Sequence, residues 1–337
     1  AEPLFPDVDI QACDLLALPD GNLLIAEPDT IWKLNRDASE LTPIVDLTPI
    51  RQVPDNRWEQ NPVSIARSSN GGLYISLALE NRIYKWTQDE GFTPVAGTGE
   101  AGYSGDGGNA TDAQLHTPRG LAVGPDRGLY IAESGSWYSS GNRIRLITPD
   151  GTIRTVAGTG AGEKSGDGGA SLSAGLPDPT DIVFDKQGNM FVADPGSYAR
   201  SWGYETWNPR APSIRKIGRD GKIGTVVQLD ALGDDVFQDL IVMSAGICTM
   251  PNGNICYAKK KLWSGRGLVL MQTTPSGETA PLLPLTDDGE SAIMPFKSLK
   301  ERSPTAIDLA VSPDGTLFVT DGGDLWMVQQ PRMKYPK

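Results

Sequence analysis

Apolar residues in this chain come in short runs, and the runs come in pairs joined by a turn that contains glycine. First members of the pairs read Leu121-Ala122-Val123, Ile182-Val183-Phe184 and Leu309-Ala310-Val311. The second members are Leu23-Leu24-Ile25-Ala26, Leu73-Tyr74-Ile75-Ser76, Leu129-Tyr130-Ile131-Ala132, Met190-Phe191-Val192-Ala193, Ile255-Cys256-Tyr257-Ala258 and Leu317-Phe318-Val319-Thr320. Between them lie Pro19-Asp20-Gly21, Pro125-Asp126-Arg127-Gly128 and Pro313-Asp314-Gly315, residue types that a tight reversal favours. A third run follows in most copies, as in Ile31-Trp32-Lys33-Leu34, Arg82-Ile83-Tyr84-Lys85, Arg143-Ile144-Arg145-Leu146 and Ile214-Arg215-Lys216-Ile217. A fourth is placed at Thr42-Pro43-Ile44-Val45, Thr93-Pro94-Val95-Ala96, Ile153-Arg154-Thr155-Val156 and Ile223-Gly224-Thr225-Val226.

Four strands per unit, in six units of roughly 50 to 65 residues, is the arithmetic of a β-propeller. The inner strands are nearly continuously apolar, as expected where both faces of a sheet pack against neighbours. The expected fold is therefore all-β: one six-bladed propeller of four-stranded antiparallel blades, a single domain over residues 1–337. The sixth unit ends after its third strand, Leu325-Trp326-Met327-Val328, so the segment Leu4 to Ile10 is expected to supply the outer strand and close the ring. No seventh copy is visible. Helix is expected to be scarce, with Asp230 to Val242 the one stretch to watch.

Composition adds limits. Gly 39 and Pro 26 without collagen periodicity, beside 39% hydrophobic residues, indicate many turns rather than disorder. No apolar stretch approaches the roughly 20 residues that span a bilayer. A net charge of −12, with Lys259-Lys260-Lys261 the densest basic run, repels a phosphate backbone and argues against nucleic acid. The start Ala1-Glu2-Pro3 has the look of signal-peptide cleavage, so an extracytoplasmic location, periplasmic or secreted, is expected. Three cysteines make no disulfide framework; Cys248 and Cys256 flank the turn Pro251-Asn252-Gly253, and buried free thiols are expected.

Two middle units share longer matches. Val95-Ala96-Gly97-Thr98-Gly99 recurs as Val156-Ala157-Gly158-Thr159-Gly160, and Ser104-Gly105-Asp106-Gly107-Gly108 as Ser165-Gly166-Asp167-Gly168-Gly169. With Thr117-Pro118-Arg119-Gly120-Leu121-Ala122-Val123 and Asn142-Arg143-Ile144-Arg145, these motifs resemble the NHL repeat of bacterial secreted proteins and teneurins. The resemblance is sharp over residues 90–194 and looser elsewhere. It implies a propeller; its functional implication is broad, because NHL propellers include interaction modules and lyases. Related amidating and streptogramin lyases depend on several histidines, and this chain has one, His116, which disfavours both identities.

Among candidate sites, Gly97-Thr98-Gly99-Glu100-Ala101-Gly102 matches a dinucleotide fingerprint in letters only, since no helix can start in the glycine-rich stretch after it. Aligning the inner strands puts Asp14, Ser64, Gly120, Asp181, Gly246 and Asp308 in one column. Asp14, Asp181 and Asp308 are oxygen donors of the kind Ca²⁺ prefers, and they are the candidate metal ligands. The competing reading has each aspartate capping backbone N–H groups where strands converge. Glu27, Glu133, Asp194 and Asp321 close the second strands and are read as turn stabilisers. Two long loops, 135–141 and 195–212, carry Trp137, Tyr138, Tyr198, Arg200, Trp202, Tyr204 and Trp207, residue types that dominate binding hot spots. The expectation is an exported, non-enzymatic recognition or scaffold propeller that binds a protein or glycan through these loops, with no resident cofactor. The alternative is a calcium-dependent hydrolase or lactonase built on the three aspartates.

Overall fold

The computed structural model describes residues 4, 11–52, 62–135, 141–195, 212–229, 241–243, 246–261, 268–282, 307–320 and 325–328. Within them the repeated runs are strands, grouped by antiparallel pairing into six sheets. The first holds β1 (Asp14–Ala17), β2 (Leu23–Ala26), β3 (Thr30–Leu34) and β4 (Leu41–Asp46). The second holds β5 (Val63–Arg67), β6 (Leu73–Leu77), β7 (Arg82–Thr87) and β8 (Gly91–Ala96). The third is β9 (Pro118–Val123), β10 (Leu129–Glu133), β11 (Arg143–Ile147) and β12 (Ile153–Ala157). The fourth is β13 (Asp181–Phe184), β14 (Met190–Asp194), β15 (Ser213–Ile217) and β16 (Ile223–Gln228).

In the fifth sheet the inner position is divided. β17 (Ile241–Met243) and β18 (Cys248–Thr249) both pair with β19 (Ile255–Lys261), and β20 (Leu268–Thr273) and β21 (Thr279–Pro281) follow. The sixth shows β22 (Asp308–Val311), β23 (Leu317–Thr320) and β24 (Leu325–Val328). Leu4 N–H donates to Leu325 O at 2.9 Å, which brings the N-terminal segment to β24 as expected for ring closure. The rest of that segment lies outside the described residues. Helix among the described residues is limited to single 3-10 turns such as Thr48–Ile50 and Ala110–Asp112. The end of the stretch watched for helix is strand β17, and residues 230–240 lie outside the described set.

The inner strands β1, β5, β9, β13, β18 and β22 lie each against the next, and β22 returns to β1. This closes a six-bladed propeller. Its hydrophobic core is divided accordingly into six wedges, one per seam between blades. Leu24, Ile31, Val45, Ile65, Ile75 and Tyr84 fill the seam of blades one and two, while Leu15, Ile25, Leu34, Ala310, Phe318 and Leu325 fill the seam where blade six meets blade one. β2 and β23 are buried at every residue, which explains why their sequences do not alternate. Each fully buried aliphatic or aromatic side chain contributes about 1.5–3 kcal/mol of transfer free energy, so the seams hold the ring together.

One register position explains a difference between the sharp and the loose repeats. In outer strands β4, β8 and β21 it is occupied by Pro43, Pro94 and Pro281, opposite Trp32, Tyr84 and Met271. Proline suits an outer strand because it has no N–H to leave unpaired there. In β12 and β16 the position is Thr155 and Thr225, opposite Arg145 and Arg215. Their N–H groups are satisfied from outside the strand: Thr155 N–H donates to Asp106 Oδ2 at 3.0 Å and Thr225 N–H to Asp167 Oδ2 at 3.3 Å. The Ser-Gly-Asp-Gly-Gly loops are therefore laid along the edges of β12 and β16, with Gly107 N–H on Ile153 O and Gly168 N–H on Ile223 O. Gly105 and Gly107 hold positive φ of 86° and 84° in this turn, and a Cβ on Gly105 would meet Ala113 at 2.6 Å.

Candidate functional site

At the end of the ring where the inner strands begin, the aligned column closes into a belt. Asp14 starts β1, and its Oδ2 accepts the Ile65 N–H of the next blade at 2.6 Å and the Ser64 hydroxyl at 2.8 Å. Ser64 Oγ in turn accepts the Leu121 N–H of blade three at 3.2 Å. Gly120 has no side chain to pass on, and its backbone presses against blade four, where a Cβ would lie 2.5 Å from Thr180 O. Asp181 Oδ2 accepts Ile247 N–H of blade five at 2.8 Å, while its Oδ1 accepts Ile182 N–H at 2.7 Å. Gly246 leaves space for the carboxyl group of Asp308 in blade six; a Cβ there would lie 2.7 Å from Asp308 Cγ and closer still to Oδ1. Asp308 Oδ2 then accepts Leu15 N–H of blade one at 2.6 Å.

Each polar member of the column thus reaches one blade forward and satisfies a backbone donor that the inner edge of the neighbouring strand leaves open. Asp14 and Asp181 keep partial exposure, whereas Asp308 is buried. Burial lifts all three above the usual carboxylate range. Asp181 is pushed up to about 7, burial leading and the Asp14 charge adding to it. Asp308 is raised well above its ordinary value by burial, by the charges of Asp14 and Asp181, and by a hydrogen bond to Asp14. Asp14 is raised by burial against the hydrogen bonds it accepts.

The structure brings Asp14 and Asp308 together and keeps Asp181 across the ring in blade four. Among the described residues, no three His, Cys, Asp or Glu side chains are grouped so as to hold a metal ion. Asp14 and Asp181 have both carboxylate oxygens on N–H groups and Asp308 has Oδ2 on one, so a cation at this belt would compete with backbone donors for these oxygens.

The second acidic set also turns inward. Glu27 accepts Gln11 N–H at 2.7 Å and the Trp32 indole N–H at 2.8 Å. Glu133 is fully buried; its Oε1 accepts His116 N–H at 3.2 Å and its Oε2 lies 3.6 Å from Arg145 Nη1. Burial pushes Glu133 up to about 7 despite that guanidinium. Asp194 is likewise fully buried, and Asp321 lies outside the described residues. His116 Nδ1 is 3.0 Å from Ser134 O, so the one imidazole is tied to the turn before β9.

Sequence reading passed over the two buried arginines. Arg145 and Arg215 are both fully buried and bond Asp106 and Asp167 of the glycine-rich loops at 2.7 Å. The signal for them was arginine at a register where the other blades carry a hydrophobic side chain, together with threonine in place of proline on the outer strand. The exposed ring of Tyr103 stacks under Arg143, whose Cζ lies 3.8 Å from the ring centroid. The aromatic candidates Trp137, Tyr138, Tyr198, Arg200, Trp202, Tyr204 and Trp207 lie outside the described residues.

No family model matches the chain. It is 27% identical over 346 residues to Teneurin-1 of Homo sapiens, a match that covers 91% of this chain and 12% of that protein. The chain therefore spans about an eighth of the teneurin's length. It is 28% identical over 174 residues to the gluconolactonase of Zymomonas mobilis, covering 49% of this chain and 42% of that enzyme. Among solved structures, a streptogramin B lyase superposes with a TM-score of 0.52 at 14% identity, over 97% of each chain. That likeness is one of fold.

Proposed function

Because the chain is an NHL-repeat β-propeller, we propose that it is a non-enzymatic recognition propeller that binds a protein or glycan through loops 135–141 and 195–212. The observation that carries this reading is the belt of column residues. Its carboxylates accept backbone N–H groups of their own and the next blade, which is a structural occupation. Binding then falls to the two long loops, where Trp137, Tyr138, Trp202 and Arg200 provide the residue types of hot spots. The test is binding to a glycan array and a peptide library by wild type and by Trp137→Ala and Trp202→Ala, with thermal unfolding as the control. Loss of at least tenfold in affinity with an unchanged unfolding midpoint is the expected result. Equal binding by both variants would refute the loop assignment.

The second reading, a calcium-dependent hydrolase, is supported by the three acidic side chains of the belt and by the gluconolactonase match. It requires the carboxylates to exchange backbone N–H groups for a cation. Calcium titration with assays on lactones and esters distinguishes the two readings: Asp181→Ala abolishes both metal binding and turnover under the second and neither exists under the first.

A further inference from the structure

β18 is the weakest inner strand of the ring. Only Cys248 and Thr249 belong to it, against four to six residues in β1, β5, β9, β13 and β22. It nevertheless occupies the inner position beside β13 and β22, and Ile247 just before it carries the N–H that Asp181 caps. Cys248 is directly opposite Cys256 of β19. Met250 N–H donates to Asn254 O at 2.7 Å, and bonded pairs alternate along an antiparallel ladder. Two steps on, Cys248 and Cys256 are again a bonded pair, with Cα atoms about 5.5 Å apart. That Cα separation lies within the range a disulfide spans, about 4.4–6.8 Å, while the Cβ atoms of a bonded pair stand about 5.5 Å apart, so closing the bond draws the short strand β18 toward β19. The two thiols are free and buried in the wedge between blades five and six. Cys13, the third thiol, stands in a different wedge, between blades one and two.

We propose that Cys248 and Cys256 are a disulfide site that staples the short inner strand of blade five when the chain folds in the presence of a disulfide oxidant. In the reaction one thiolate attacks the oxidant's sulfur and releases a thiol. The second thiolate then attacks the mixed disulfide, so two protein thiols are oxidised to one S–S bond and one small-molecule disulfide is reduced to two thiols. The bond forms during folding, before the wedge closes. In the folded protein the Cys256 thiol, burial and the nearby charges of Asp308 and Asp181 all hold Cys248 in its protonated form, which does not attack. The same burial shields the bond from reductant afterwards, so the redox state set at folding persists.

The experiment uses oxidised glutathione as the oxidant on the full chain. Reduced folded protein and denatured protein refolding from urea are each incubated with it, quenched with acid, unfolded and alkylated, and the free thiols are counted by mass. The folded sample is expected to keep three alkylated cysteines. The refolded sample should keep one, Cys13, with a peptide pair joining Cys248 to Cys256 and a thermal midpoint raised by several degrees. Cys13→Ser should give the same bond, and Cys248→Ala should lose it. Three alkylated thiols after oxidative refolding, or a bond that involves Cys13, would overturn the proposal. Where refolding yield is low, the same thiol count on protein produced in oxidising and in reducing host compartments separates the same two outcomes.

Discussion

Asp181→Asn is the substitution that probes the belt most directly. In the folded chain the Asp181 carboxyl titrates at about 7, against 3.8 when unperturbed. The folded state therefore holds this proton more tightly than the unfolded chain, by about 3 units, or about 4 kcal/mol at 1.36 kcal/mol per unit. The sign follows. Stability from this group is complete below about pH 4, declines as pH rises from about 4 to about 7, and is level above that. Asp14 and Asp308, raised by the same burial, add in the same direction. The lowered carboxylates Asp37, Asp46, Asp150 and Asp314 act below about pH 4, whereas Glu133, raised to about 7, contributes within this window in wild type and variant alike.

Asparagine fixes the neutral form. Its one carbonyl oxygen keeps only one of the two N–H bonds of Asp181, so a pH-independent loss of about 1–3 kcal/mol is expected. Urea unfolding of both proteins in half-unit steps from pH 4 to 8, in chelator, reads the result. The variant should be the less stable protein at pH 4.5, and its deficit should shrink or reverse by pH 8. Self-repulsion from the net charge of −12 lowers both curves alike, so the difference between them reads Asp181 together with its electrostatic effect on Asp14 and Asp308. Parallel curves across that range would refute the assignment of a raised proton affinity to Asp181.

Gly246→Ala should lower stability by about 1–3 kcal/mol in chemical denaturation, because the new methyl displaces Asp308 from Leu15 N–H; an unchanged midpoint would mean the belt is not closed there. Asp106→Ala should cost a similar amount by taking from the buried Arg145 guanidinium the closer of its two carboxylates, the other being Glu133. The double variant Asp106→Ala with Arg145→Met should lose less than the two single losses added, and strict additivity would show that the pair does not act as one unit.

Much of the architecture was legible because a propeller repeats itself. The turn Pro125-Asp126-Arg127-Gly128 and the run Leu129 to Ala132 recur six times in variant spelling, and each copy folded as a hairpin at the expected place. The column Asp14, Ser64, Gly120, Asp181, Gly246, Asp308 was also readable, since register follows from aligning the runs. Blade five resisted: its inner position is shared by β17 and β18, and a break inside a strand leaves no periodic trace. The occupation of each carboxylate was likewise hidden. Asp181 and Ile247 are 66 residues apart, and no local pattern tells which backbone donor a side chain will meet.

The same residue types in the same column would serve a metal site or a belt of caps, and geometry separates them. A metal site turns several carboxylates toward one point and leaves their lone pairs open. Here each carboxylate points one blade forward, to a different strand, and Gly120 and Gly246 occur where the neighbouring blade needs the space of a side chain. Glycine in the column is then as informative as aspartate. At Gly246 it admits the carboxyl that closes blade six onto blade one. A ring closed in this way is a rigid frame. Asp14, Ser64, Asp181 and Asp308 each cap an inner backbone donor of the blade that follows.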